Sequence, residues 1–372
     1  MVSKACLVGA YQSKLSAIGR SADIDLTVIV PPFWREPGGD LRLERGDSDG
    51  YRLLVEPIRL NGRHHLHWYP RLGHRLRELR PDVVHMDEEP YSLVTWLGMR
   101  QARALGARPL FFSWQNIFRR YPPPFGQMER QVLAWADHGI MGNAAADEVW
   151  RRKGYRGPTT ILPQFGVSLE LFRERGPFSA DTPFLIGSAS RRLAPEKGVD
   201  LILQAATALP GDWRVRVAGD GDDRARLEGL AQSLGIADRV DFVGKVGSEA
   251  VADFLRGLDV LVLPSRTTPT WKEQFGRVLI EAMACGVPVI GSDSGEIPHV
   301  IGEDGLVFAE DDLAGLTARL TALATDCALR TRLGQAGRRR VAERYTQAQI
   351  AARTVDIYRA VMAKPAILPT RP

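Results

Sequence analysis

The chain has 372 residues, 44% hydrophobic and 25% charged, with a formal net charge of +5. That length exceeds what one hydrophobic core usually organises, so two domains are expected, and the composition is that of a globular protein, not a disordered or fibrous one. No apolar run of about 18 residues is available to span a bilayer, and Cys6, Cys285 and Cys327 are too far apart for a zinc site or a disulfide framework.

The sequence enters an apolar run at Ala5 after a single lysine, Lys4, too short a lead for a secretory signal. A cytoplasmic location is expected, with a peripheral contact at the inner face of a membrane as an option. Residues 1–175 carry 25 basic and 19 acidic side chains, and the remainder 24 and 25. A basic first half suits an anionic acceptor, lipid headgroups or nucleic acid; it is equally the mark of an arginine-rich solvated surface.

Short apolar runs alternate with longer helical patterns, the sequence form of a parallel α/β sheet. In chain order the predicted strands are 5–8, 26–30, 51–55, 82–86, 110–113, 139–141 and 160–162, with helical patterns such as 91–105 and 127–137 between them. A polar stretch at 173–183 reads as a linker. A second set follows, with strands at 184–189, 214–218, 239–243, 260–263, 289–290 and 306–308, and a last helix over 346–361 capped by Thr346. The expected division is therefore 1–170, a linker at 171–183, 184–345, and a terminal helical segment at 346–372.

Ligands of open parallel sheets bind at the carboxyl ends of the strands. In the second half that rule selects the run from Leu263 to Pro288, which reads as a strand, a polar loop holding Ser265, Arg266, Glu273 and Phe275, and an apolar helix stopped by Gly286. Gly276, with Arg277 and Val278 after it, opens that helix. Its backbone N–H groups and the helix N-terminus favour a diphosphate there.

Glu281 lies in Val-Leu-Ile-Glu-Ala-Met-Ala, apolar on nearly all sides, where a carboxylate without partners is costly. The two hydroxyls of a ribose are one partner set; an arginine is the other. Glu273, eight positions earlier, either holds sugar hydroxyls or is a solvated loop acid. Arg192 and Lys197, five positions apart after another strand, can converge on a diphosphate as a planar fork and a point charge, or form a basic surface turn.

The Glu273/Glu281 pair, the Arg192…Lys197-Gly198 loop, the run Glu281-Ala-Met-Ala-Cys-Gly-Val-Pro and the Gly295-Glu-Ile-Pro298 segment together resemble the family 4 retaining glycosyltransferases of the GT-B fold. The second half carries the resemblance closely, the first half mainly in layout. It implies two Rossmann-like, doubly wound parallel-sheet domains facing across a cleft, with the final helix crossing back onto the first. It further implies that Arg192 and Lys197 neutralise the donor diphosphate, Glu281 binds ribose, Glu273 binds the transferred sugar, and Gly244, Lys245 and Val246 approach the base. The implied reaction moves a hexosyl group from a nucleotide-diphosphate sugar, UDP- or GDP-linked, to an acceptor hydroxyl with retention and without a protein cofactor. Arg191 departs from the family, which has glycine before the phosphate-binding arginine.

Departure of the nucleotide places negative charge on the diphosphate, which fixed cations stabilise. No Asp-x-Asp metal motif serves this role; Asp220-Gly221-Asp222 reads as a turn, so metal independence is expected.

In the first half, Gly9, Tyr11 and Lys14 follow the first predicted strand, where the family places an acceptor loop. Glu88, in Asp87-Glu88-Glu89-Pro90, can hold acceptor hydroxyls or serve the dipole of the next helix. Gln115 and Asn116 stand where family members carry a histidine, and Gln115 can hydrogen-bond a sugar without carrying charge; Asn143 ends a further strand. His64, His65 and His67 have no metal-ligand spacing and precede the basic helical pattern of Arg71, Arg75, Arg77 and Arg80. The acceptor is read as a carbohydrate, a lipid-linked or a small molecule, and no nucleic-acid motif is present. Three rival readings follow from the same letters. A nicotinamide dehydrogenase would use Gly219-Asp-Gly221-Asp-Asp-Arg224 but leaves the two glutamates unexplained. A nucleotide-sugar epimerase of the same fold shares the donor side, and a sugar-phosphate-binding module without catalysis completes the set.

Overall fold

The computed structural model describes all residues except 37, 38, 45, 47, 48, 180–182, 248, 249 and 366–372. The chain divides into two units, Met1–Gly166 with Gln347–Pro372, and Val167–Thr346.

In the first unit the backbone starts in sheet pairing at Val2, turns through a short 3-10 segment at Ala5–Leu7, and enters α1 (Gly9–Gly19). β1 (Leu26–Val30), the hairpin β2 (Phe33–Glu36) and β3 (Gly39–Arg42), and β4 (Tyr51–Val55) follow. Then come α2 (Leu72–Leu79), β5 (Val83–Met86), α3 (Leu93–Ala104), β6 (Arg108–Ser113), α4 (Phe125–Trp135), β7 (His138–Met141), α5 (Ala144–Arg152) and β8 (Thr159–Ile161). Val2 bridges Ile29 and Met86 in parallel, so the sheet runs β4-β1-Val2-β5-β6-β7-β8. The strand expected at 5–8 is thus displaced: the run Ala-Cys-Leu-Val turns off the sheet, and Cys6 and Leu7 are buried in the packing of the turn instead.

The second unit holds β9 (Phe184–Arg192), α6 (Val199–Ala206), β10 (Trp213–Asp220), α7 (Arg224–Ser233), β11 (Val240–Gly244), α8 (Ala250–Arg256) and β12 (Val260–Leu263). α9 (Arg277–Ala284), β13 (Val289–Ser292), α10 (Ile297–Ile301), β14 (Leu306–Phe308), α11 (Leu313–Thr325) and α12 (Cys327–Arg344) complete it. Its sheet is wholly parallel in the order β11-β10-β9-β12-β13-β14. Val215, Val217, Val260, Val262 and Ile290 pack with Ile202, Leu203 and Leu320 in one core. The described part of the stretch expected as a linker belongs to this unit: Phe172 is buried, Arg175 N–H donates to the Cys285 carbonyl, and its guanidinium pairs with Asp259 at 3.3 Å.

The chain then returns to the first unit as α13 (Gln347–Met362), whose Ile350, Val355, Tyr358 and Val361 share a core with Leu15, Ile18 and Val28. Both sheets reverse strand order once, between Val2 and β5 and between β9 and β12, and such reversals open a crevice at the carboxyl ends. Among the described residues no helix is long and apolar enough to cross a membrane.

Candidate active site

At the reversal in the second unit, the loops after β9 and β12 leave neighbouring strands and meet. Gly198 makes the approach possible: its φ of 68° is left-handed, and a Cβ there would overlap the Pro264 carbonyl. Lys197 Nζ comes to rest 3.1 Å from Glu273 Oε2, and the Ser265 hydroxyl donates to the same oxygen at 3.1 Å. The indole of Trp271 lies 4.2 Å from the ammonium, a cation–π contact that fixes the lysine from the other side. Gly295, at φ 59°, lets the next loop close on this group; a Cβ would overlap the Glu273 carbonyl, which takes the Glu296 N–H at 3.3 Å. The structure therefore joins Lys197, Ser265 and Glu273, and adds Trp271 and Gly295. Trp271 escaped the sequence reading because only its place two residues before Glu273 could have marked it.

Gly276, φ 74°, caps α9, where a side chain would press on Leu263 and Leu279. The first N–H groups of that helix follow directly, with Val278 half-buried in its first turn. Arg277 reaches four residues forward to Glu281, 2.8 Å away. The arginine alternative weighed for Glu281 is thus realised. Burial raises the Glu281 pKa, and Arg277 opposes that shift. A carboxylate so placed gains from any further donor. Phe275 is buried, its ring edge-on to Tyr345 at 5.8 Å, so it supports the loop.

Two expected donor residues are committed elsewhere. Arg266 clasps Asp200 at 2.7 and 2.9 Å and Asp311 at 2.5 Å, which ties the loop to α6 instead of offering a free fork to phosphate. Arg192 ends β9 exposed, paired with Asp222 at 2.6 Å; Arg191 beside it is exposed as well. Gly244, φ 74°, ends β11, with Lys245 exposed and Val246 half-buried after it. Asp220 accepts the Gly221 N–H, Asp222 holds Arg192 and Asp223 holds Arg226, so the three acids serve a turn. Among the described residues no group of three or more His, Cys, Asp or Glu is arranged to hold a metal.

The first unit uses its own reversal differently. Ser3 Oγ donates to Asp87 at 2.6 Å, and Lys4 pairs with Glu88, 84 residues away, with His67 Nε2 3.8 Å from the same carboxylate. Burial alone would raise the Glu88 pKa, but Lys4 and His67 outweigh it and hold the carboxyl at about 2. Glu89 takes the Ser113 hydroxyl at 2.6 Å and the Trp114 N–H at 2.8 Å, yet burial pushes it up to about 7. Both readings offered for Glu88 are corrected: it is an internal ion-pair partner, and α3 begins five residues later at Leu93.

The expected acceptor loop at 9–14 is the first part of α1. Gly9 N–H donates to Glu44 at 2.7 Å, Tyr11 stacks on Phe165 at 4.2 Å, and Lys14 is buried, donating to the Gln164 carbonyl at 2.8 Å. Lys14 therefore bonds inward and is withdrawn as an acceptor contact. Asn143 is withdrawn for a similar reason: it caps α5, its Oδ1 accepting the Ala146 N–H at 2.7 Å. Gln115 is buried and donates to the Ile117 carbonyl at 3.0 Å, with Lys153 Nζ 3.5 Å from its oxygen; Asn116 next to it is half-buried.

A family model for "Glycosyl transferases group 1" matches residues 173–340, and one for a "Glycosyl transferase 4-like domain" matches residues 8–185. The D-inositol 3-phosphate glycosyltransferase of Streptomyces avermitilis is 34% identical over 63% of this chain and 54% of its own length, so the chain spans about half the length of such relatives. The N-acetyl-alpha-D-glucosaminyl L-malate synthase of Bacillus anthracis is 36% identical over 73% of this chain and 68% of its own. The fold matches sucrose-phosphate synthase from Thermosynechococcus elongatus (TM-score 0.64, 22% identity, 95% of this chain and 93% of that one). It also matches Anabaena HepE in complex with UDP (TM-score 0.67, 16% identity, 95% and 96%). With sequence relatives over most of its length and two doubly wound sheets of the same topology, the chain belongs to the family 4 glycosyltransferases of the GT-B fold.

Proposed function

We propose that the chain transfers a hexosyl group from a nucleotide-diphosphate sugar to an acceptor hydroxyl, with retention of anomeric configuration and without a metal. The observation that carries this reading is the cluster of Lys197, Ser265 and Glu273 beside the glycine-capped start of α9. Lys197 and the first N–H groups of α9 suit the charge that develops on the departing diphosphate. Glu273 then exchanges its bond from Lys197 for sugar hydroxyls, and Glu281, paired with Arg277, accepts from the ribose hydroxyls. In the transfer the anomeric carbon–phosphate oxygen bond breaks, the acceptor oxygen bonds that carbon from the same face, and the acceptor proton passes to the departing phosphate. The names of relatives support a glycosyl donor, and a structural neighbour solved with UDP supports a nucleotide one.

The test is mass spectrometry of the full chain with UDP-, GDP- and ADP-sugars, in chelator, followed by NMR of the product. The expected product keeps the donor's anomeric configuration. An inverted product, or stabilisation against heat by NAD and by no nucleoside diphosphate, overturns the reading.

A further inference from the structure

The first unit holds a cavity of about 690 Å³ between β2 and the loop after β4, lined by Arg35, Glu36, Asn61, Arg63, His64 and His65 among others. Its size falls among small-molecule sites, and it lies at the carboxyl end of the sheet, where parallel sheets bind ligands. Nothing in the donor chemistry above uses it.

The walls are built, not incidental. Arg59 and Trp68 exchange two backbone hydrogen bonds that close the loop at its neck. Asn61 bolts it to β2, accepting the Arg35 N–H and donating to the Phe33 carbonyl, each at 2.9 Å. Gly62, φ 85°, lets the loop lie against Arg35, where a Cβ would stand 3.2 Å from that residue's Cβ and carbonyl oxygen. The His64 ring rests 5.0 Å from Trp34, and the His65 ring 4.9 Å from Tyr91 and 5.4 Å from Tyr121. These contacts fix ring orientation before any ligand arrives.

Charge in the cavity is net positive: two guanidinium groups face one carboxylate, Glu36. Arg35 reaches Asp40 only at 3.9 Å and in solvent, and Arg63 has no ion-pair partner among the described residues. Burial, with Lys4 near His64 and Arg119 near His65, lowers both imidazole pKa values and so favours the neutral ring, which still donates one N–H. Guanidinium forks and directed N–H donors are the set that recognises a phosphate monoester.

We propose that this cavity holds the phosphate of a phosphorylated acceptor, with Arg35 and Arg63 supplying charge and His64 and His65 supplying N–H donors. The word acceptor rests on the transferase reading; phosphate binding does not. Calorimetric titration of the full chain with inorganic phosphate, with glucose 6-phosphate and with glucose is the experiment. Saturable binding of both phosphates and none of glucose is expected, weakened roughly tenfold by Arg63→Ala and by Arg35→Ala, and strengthened by Glu36→Gln. UDP affinity should stay constant in all three variants, which separates this test from that of the donor site. Vesicles containing phosphatidic acid distinguish the source: binding lost in Arg63→Ala assigns the phosphate to a lipid headgroup, and no vesicle binding assigns it to a soluble acceptor. Phosphate affinity unchanged in both arginine variants, or no saturable phosphate binding, overturns the proposal.

Discussion

Lys197 and Glu273 face each other at 3.1 Å, with 21% and 13% of their side chains exposed. At that separation an effective dielectric of ~20 gives an attraction of about 5 kcal/mol. Partial exposure and the cost of removing both groups from water reduce it to a net coupling of about 1–3 kcal/mol. A double-mutant cycle of Lys197→Met and Glu273→Gln in urea unfolding should return a coupling in that range. Lys197 is also positioned for the departing diphosphate, so Lys197→Met should lower kcat by about 100- to 1,000-fold, the usual loss when one preorganised donor is removed. A coupling below about 0.5 kcal/mol would show that the pair is not formed in solution. A kcat within threefold of wild type would remove Lys197 from the chemistry.

Three further outcomes follow from the geometry. Gly295→Ala forces a Cβ against the Glu273 carbonyl at a left-handed φ of 59°, so unfolding in urea should show a loss of about 2–3 kcal/mol together with weaker nucleotide binding; an unchanged midpoint would refute the close approach. Glu88 has a folded pKa of about 2 against an ordinary value of 4.5, so its contribution to stability is present above pH 4.5 and is lost as pH falls toward 2. Glu88→Gln should therefore flatten the acid limb of a stability–pH curve, and a limb of unchanged slope would refute the assignment. Asn143→Ala removes the cap of α5 and should cost about 1 kcal/mol, measured as a lower melting temperature, while the conservative Asn143→Asp retains most of it.

What the sequence disclosed follows from what kind of interaction does the specifying. β12 and β14 were read at their observed bounds because each is a continuous apolar run, the fully buried β12 set off by Asp259 before it and the partly buried β14 by Gly305. The hairpin of β2 and β3 went unread, since Phe33-Trp34-Arg35-Glu36 lacks the alternation that marks a half-buried strand and the excursion breaks the regular strand–helix rhythm. The first strand was placed three residues late because Ala-Cys-Leu-Val is as apolar as a strand, and only the pairing of Val2 with Ile29 and Met86 decides the register. The donor loop was legible through its glycines and acids. The partners of Lys4, Lys14 and Arg266 lie 84, 150 and 66 residues away, and no local pattern encodes which acid or carbonyl a buried cation will meet.

α13 supplies Ile350, Ala351, Val355, Ile357, Tyr358 and Val361 to a core whose other members come from Cys6 to Phe165. The Tyr358 hydroxyl also shares a 2.8 Å hydrogen bond with Nδ1 of the buried His85 of β5. On the ribosome, the first unit therefore waits: with ~5–20 residues added per second, the stretch from Val167 to Met362 takes roughly 10–40 s to synthesise. Through that interval the groove meant for α13 stays open on a nascent chain, while the second unit, continuous in sequence, has every segment it needs. The core of the first unit is thus completed only after the second unit has been synthesised, and until then Leu15, Ile18 and Val28 lack the partners that α13 supplies.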